Sequence, residues 1–79
     1  MEKAELIKKV NTILSEEFEI ETEEMTPDAN IKQTLQLDSL SIVDMVALIE
    51  NEFGVKIKPA EVSQLTTFGK LYDYIAEHI

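Results

Sequence analysis

Apolar side chains recur at three- and four-residue intervals in three stretches of this chain, the spacing that gathers them on one side of an α-helix. In the first, Leu6, Ile7, Val10, Ile13, Leu14 and Phe18 predict a helix over about residues 2–18. In the second, Ile42, Val46, Ile49 and Phe53 form the core arc, and Gly54 stands where a left-handed residue would stop the helix. The third carries Phe68, Leu71, Tyr72, Ile75 and Ile79, and is entered through Thr66-Thr67, either of which can serve as N-cap. Pro59 suits the first position of a short fourth helix, with Val62 and Leu65 as its buried residues. Val55-Lys56-Ile57 alternates like a strand, but three residues without a pairing partner read better as loop.

Between the first two helices, residues 19–38 show no long-range periodicity. Loops of that length are uncommon in small domains unless anchored or functional. Ile20, Met25, Ile31, Leu35 and Leu37 are the expected anchors, and Thr26-Pro27-Asp28 signals a turn. The acidic run through Glu16, Glu17, Glu19, Glu21, Glu23 and Glu24 reads as a solvated surface. The expected fold is all-α: one domain over 1–79, a small four-helix bundle of three principal helices and one short helix, with a long first loop.

Composition narrows the function. Sixteen Asp plus Glu against seven lysines, with no arginine, give a net charge of −9. A nucleic-acid partner is not expected, because phosphate neutralisation needs clustered cations. The absence of cysteine excludes disulfides, thiolate metal sites and cysteine nucleophiles within this sequence. A single histidine, His78, excludes multi-histidine zinc sites; its expected role is to complement the last helix's C-terminal dipole. Asp28-x-Asn30 lacks the Gly and the terminal Glu of a calcium loop. Met1-Glu2-Lys3-Ala4-Glu5 is too charged for a secretory signal, and no apolar run approaches the roughly 18 residues of a membrane span. The expectation is a cytoplasmic monomer without membrane insertion and without catalysis of its own.

Leu37-Asp38-Ser39-Leu40 leads straight into the second helix. Asp and Ser are both favoured N-caps, so capping alone explains the pair. The same helix start also offers free N–H groups and partial positive charge, which would stabilise a phosphate ester on Ser39. The surroundings bear on the choice. An amphipathic helix, a long loop, Leu-x-Leu-Asp-Ser-Leu, a helix ending Glu-x-Glu-Phe-Gly-Val-x-Ile, a Pro-led short helix, Thr-Thr-Phe and a final Tyr-Asp-Tyr-Ile follow in order. Across essentially its whole length the chain resembles the acyl carrier protein family.

The resemblance implies that Ser39 is the attachment point of 4'-phosphopantetheine, donated by coenzyme A under a phosphopantetheinyl transferase of the holo-acyl-carrier-protein synthase type. Acyl groups would then ride its thiol as thioesters between enzymes of fatty acid or related acyl-chain biosynthesis. Asp38 would help position the transferase's metal and substrate, and capping is compatible with that role. On a helical wheel Leu40, Asp44, Ala47 and Asn51 form one line, with Asp38, Asp44, Glu50 and Glu52 around it. Two readings of Leu40 and Ala47 stand: burial against a second neighbour, or an apolar docking strip with an acidic rim. In the family this helix is the main recognition element, docking on basic patches of acyl transferases, ketosynthases and other acyl-processing enzymes. The resemblance also implies an acyl-chain pocket, lined by position with Val46, Ile49, Ile57, Val62, Leu65 and Leu71.

Thr34, Gln36, Ser41, Lys56, Lys58 and Ala60 depart from the commonest family pattern, Gln36 standing where a Gly is usual. That leaves open a dedicated carrier for a polyketide, aryl polyene, lipid or aminoacyl pathway. A non-carrier helical interaction module is the remaining alternative.

Overall fold

Leu6, Val10 and Leu14 are fully buried at four-residue spacing on α1, Lys3–Phe18, as their periodicity predicts. A computed structural model describes residues 2–79; the side chain of Ser39 lies outside the described parts. After α1 come a 3-10 turn at Thr22–Glu24, α2 at Ile31–Leu35, α3 at Ser39–Phe53, α4 at Pro59–Val62 and α5 at Phe68–His78. The architecture is all-α, with three long α-helices and two short ones among the described residues.

The 19–38 segment differs from the expected loop by containing the 3-10 turn and α2. Five residues are too few for periodicity to reveal α2. It exists because its ends are held. The Asn30 side chain accepts from the Gln33 N–H at 3.0 Å, and Gln36 closes the helix in the left-handed region at φ 54°. Gln36 carries a Cβ into a conformation that glycine adopts without strain.

The expected anchors hold the segment down: Met25, Ile31 and Leu35 are buried, Ile20 and Leu37 half-buried. Backbone bonds join it to the start of α5. The Ile31 N–H donates to the Thr66 carbonyl at 3.0 Å, the Phe68 N–H to Ala29 at 3.3 Å, and the Gly69 N–H to Pro27 at 3.0 Å. A Cβ at residue 69 would sit 3.1 Å from the Pro27 carbonyl oxygen, so any larger residue would press this approach apart by a few tenths of an ångström.

α1 packs chiefly on α5, and Phe68, Leu71, Tyr72 and Ile75 of α5 complete the core. The Tyr72 hydroxyl donates to Asn11 Oδ1 of α1 and lies 3.2 Å from the Met25 carbonyl. Burial pushes its pKa up, against a smaller opposing pull from Asn11, so it remains a donor. Tyr72→Phe strands these acceptors, and a loss of about 1–3 kcal/mol at unchanged m-value is expected in urea unfolding.

On α3 the buried arc is Met45, Val46 and Ile49; Ile42 and Phe53 are half-buried. The core arc is thus rotated towards Met45 from the expected line. Phe53 lies at the rim, with the Lys9 ammonium 5.1 Å from its ring centre. Gly54 ends α3 at φ 68°, its N–H donating to Glu50 at 2.8 Å. Val55-Lys56-Ile57 is loop, with Val55 and Ile57 buried. α4 begins at Pro59, but Val62 and Leu65 are half-buried, and Leu65 lies beyond the helix end. Both face an opening in the molecule, and that opening defines the site.

Candidate functional site

Asp38 caps α3. Its backbone is extended, its carboxylate accepts from the Ser41 N–H at 2.8 Å, and its carbonyl accepts from the Ile42 N–H at 3.1 Å. The Ser41 amide bond, followed by the Ser41 hydroxyl, holds the Asp38 carboxyl below the usual aspartate range. A depressed folded pKa means that the cap stabilises the helix at and above the ordinary carboxylate range. The contribution disappears as pH falls through the lowered value. The protection factor of the Ser41 amide, its exchange rate relative to the intrinsic rate at the same pH, should therefore fall in acid, and Asp38→Asn, which also caps, should remove that change in protection.

Ser39 is the first residue of α3. Its side chain lies outside the described parts, but its setting is clear. Asp38 before it is exposed, and Leu40 after it is 78 % exposed. A helix N-terminus carries partial positive charge and N–H groups without intrahelical partners, an environment suited to an anionic phosphate linkage.

The wheel line is on the surface. Leu40, Asp44, Ala47 and Asn51 are all exposed, and Val43, 62 % exposed, widens the apolar strip beyond the sequence reading. α3 contains no cationic residue, and Glu52 is exposed at the far end of its acidic rim. Glu50, grouped with that rim, is half-buried, and its Oε2 accepts from the Ile57 N–H at 2.8 Å. That bond fixes the loop after α3.

Beside the strip, a cleft of about 580 Å³ lies between α2, α3 and α4. Four of the six expected lining residues face it: Val46, Ile57, Val62 and Leu65. Ile49 and Leu71 do not. Both are 0 % exposed within the core, where neighbours occupy every side, whereas a lining side chain needs one side free. Ile31, Ile42 and Met45 add to the apolar wall, and Val43, Ala47 and Pro59 border it. Sequence reasoning assigned Ile42 to the core and passed over Met45; the signal lay in α3 being apolar round most of its circumference, more than one interface uses.

Among the described residues, no group of three or more His, Cys, Asp or Glu side chains could hold a metal ion. No described helix is long and apolar enough to cross a membrane.

Residues 8–75 match the family described as "Phosphopantetheine attachment site". The chain is 31 % identical to the acyl carrier protein of Rubrobacter xylanophilus over 78 residues, covering 99 % of this chain and 96 % of that one. It is 35 % identical to the acyl carrier protein of Thermotoga maritima over 75 residues, covering 95 % and 93 %. The solved structure of the acyl carrier protein from Enterococcus faecalis, reported for its high thermal stability, superposes with a TM-score of 0.84 at 35 % identity and covers both chains entirely.

Proposed function

This chain belongs to the acyl carrier protein family, and on that premise we propose that Ser39 bears its 4'-phosphopantetheine. The domain of this family carries that group covalently, and its members carry acyl groups rather than catalyse their chemistry. The observation that carries the assignment is the Asp38-Ser39-Leu40 opening of α3, between two exposed side chains and within the matched region.

The residues present fit the group. The helix start favours the phosphodiester, and a sequence with no cysteine needs a thiol from outside to hold a thioester. When bound, the arm supplies that thiol. The protein's own part is to present the Ser39 hydroxyl to a phosphopantetheinyl transferase, where its oxygen would attack the pantetheine-side phosphorus of coenzyme A as the pyrophosphate P–O bond breaks, adenosine 3',5'-bisphosphate leaving and the hydroxyl proton passing to a base of the transferase. Asp38 is proposed to orient the transferase's metal and substrate while capping α3. The exposed strip of Leu40, Val43 and Ala47, with Asp44 and Glu52 beside it, docks on basic patches of acyl transferases, ketosynthases and other acyl-processing enzymes.

The cleft is proposed to receive the acyl chain. Ile42, Val43 and Val46 follow position 39 by three, four and seven residues, so they continue its side of α3 towards the cleft. The cargo assigned is an intermediate of fatty acid or related acyl-chain biosynthesis. Exposed Lys56 and Lys58 break up the negative charge near α4 and favour, as a second reading, a carrier dedicated to one specialised pathway.

Incubation with coenzyme A and a broad-specificity transferase should raise the intact mass by one phosphopantetheinyl group. Ser39→Ala should remain unchanged in mass. Modification that survives Ser39→Ala, or folded wild-type protein left unmodified, would refute the assignment.

A further inference from the structure

α4 has four residues and no side-chain N-cap, too little to persist as a helix by its own hydrogen bonds. Its apolar contributions are also modest, since Val62 and the following Leu65 are half-buried and face the cleft. Val62 and Leu65 pack against the core beside buried Ile57, and polar bonds add to this hold. From α3, Glu50 accepts from the Ile57 N–H at 2.8 Å. From α5, the Tyr74 hydroxyl is bonded to the Glu61 carboxylate of α4 and lies 3.1 Å from the Lys56 carbonyl of the preceding loop. Lys56 and Glu61 bracket Ile57 and Pro59, both of which line the cleft.

Tyr74 is itself braced. His78, one turn on, stacks on its ring at 4.0 Å between centroids and 13° between planes. The His78 Nδ1 lies 2.7 Å from the Tyr74 carbonyl. A carbonyl only accepts, so Nδ1 carries the hydrogen and donates it to Tyr74. The hydrogen bond to Glu61, then burial, raise the Tyr74 pKa, so the phenol keeps the proton it donates.

We propose that the Tyr74 hydroxyl is a latch fastening α4 and the α3–α4 loop to α5, and that it thereby limits how far the cleft opens for its cargo. The cargo half of this statement rests on the carrier reading above. An acyl chain entering between α3 and α4 pushes on the wall that Tyr74 holds. Short chains are accommodated with the latch closed, and long chains require it to open. Tyr74 is a positioning residue for the bound chain and does not touch the thioester chemistry.

Two readouts separate the parts. In the unmodified protein, amide exchange at Glu61, Val62, Gln64 and Leu65 reports on α4, because these N–H groups form its turn bonds. Tyr74→Phe should accelerate exchange there about tenfold, with Val10 and Ile75 in the core unaffected. Glu61→Gln retains an acceptor and should stay close to wild type, whereas Glu61→Leu should match Tyr74→Phe. Unchanged α4 exchange, or equal acceleration in every helix, would overturn the latch.

The second readout is hydroxylamine cleavage of butyryl and dodecanoyl thioesters on the holo protein. In Tyr74→Phe the dodecanoyl-to-butyryl ratio of cleavage rates should fall at least about threefold, as the longer chain gains shelter. An unchanged ratio with faster α4 exchange would overturn the control of cargo. Failure of the carrier reading is recognised separately, because no thioester would then form.

Discussion

Asp44→Lys should lower kcat/KM with an acyl-processing partner by about tenfold or more at low ionic strength. Asp44 is exposed midway along α3, beside Ala47 and one turn from Leu40, where nothing in the helix offsets its charge. Complementary charge acts mainly on encounter, so the loss should appear at subsaturating carrier and largely vanish when carrier saturates the enzyme. Salt should erase the difference: exposed charges more than a Debye length apart, about 8 Å at physiological ionic strength, are largely screened. Glu16→Lys, at an exposed position of α1, makes the same change in net charge away from the strip and is the control. Equal losses in both variants would assign the effect to total charge, and rates flat across ionic strength would contradict electrostatic docking.

Ile49→Ala should destabilise the fold by about 2–5 kcal/mol, a large part of the roughly 4–12 kcal/mol available to a domain of this size. Ile49 is 0 % exposed and belongs to the core cluster, so truncation leaves an internal cavity. Val62→Ala removes a comparable kind of atom from a half-buried wall and should cost only about 1 kcal/mol. The functional consequences should run the other way. Val62→Ala alters acyl shelter in a protein that remains folded, while Ile49→Ala alters stability first. Urea unfolding beside thioester cleavage distinguishes them; similar unfolding costs at the two positions would contradict the division between core and cleft.

That division was only partly legible beforehand. Periodicity found α1, α3 and α5 because each repeats its apolar spacing over several turns. It could not find α2, whose five residues are held by the Asn30 cap and by backbone bonds to the start of α5. Capping chemistry was readable at Gly54 and, to within one residue, at Asp38-Ser39 and Thr66-Thr67, of which the fold uses Asp38 and Thr67. Gln36 was visible as a departure from pattern, but the positive φ it adopts is a property of the folded backbone.

At the site, Leu40, Asp44 and Ala47 could be placed because a wheel separates faces on one helix. Depth is different. Val46 and Ile49 lie three residues apart and look equivalent on the wheel, yet one borders open space and the other is enclosed. Which of them lines a cleft depends on where α2 and α4 lie, and no local pattern carries that information. The same holds for Glu50, a rim acid by spacing, which the fold uses to fasten Ile57. The Tyr74–Glu61 contact joins positions whose relation appears only once α4 is set against α5.

The central claim is that acyl groups travel on a sulfur borne at residue 39. Holo protein loaded with one defined acyl group and digested for tandem mass spectrometry tests it most directly. The account predicts an acylated phosphopantetheine on the peptide containing Ser39, released by neutral hydroxylamine and missing from Ser39→Ala. An acyl group found on any other residue, or one that resists hydroxylamine, would contradict it.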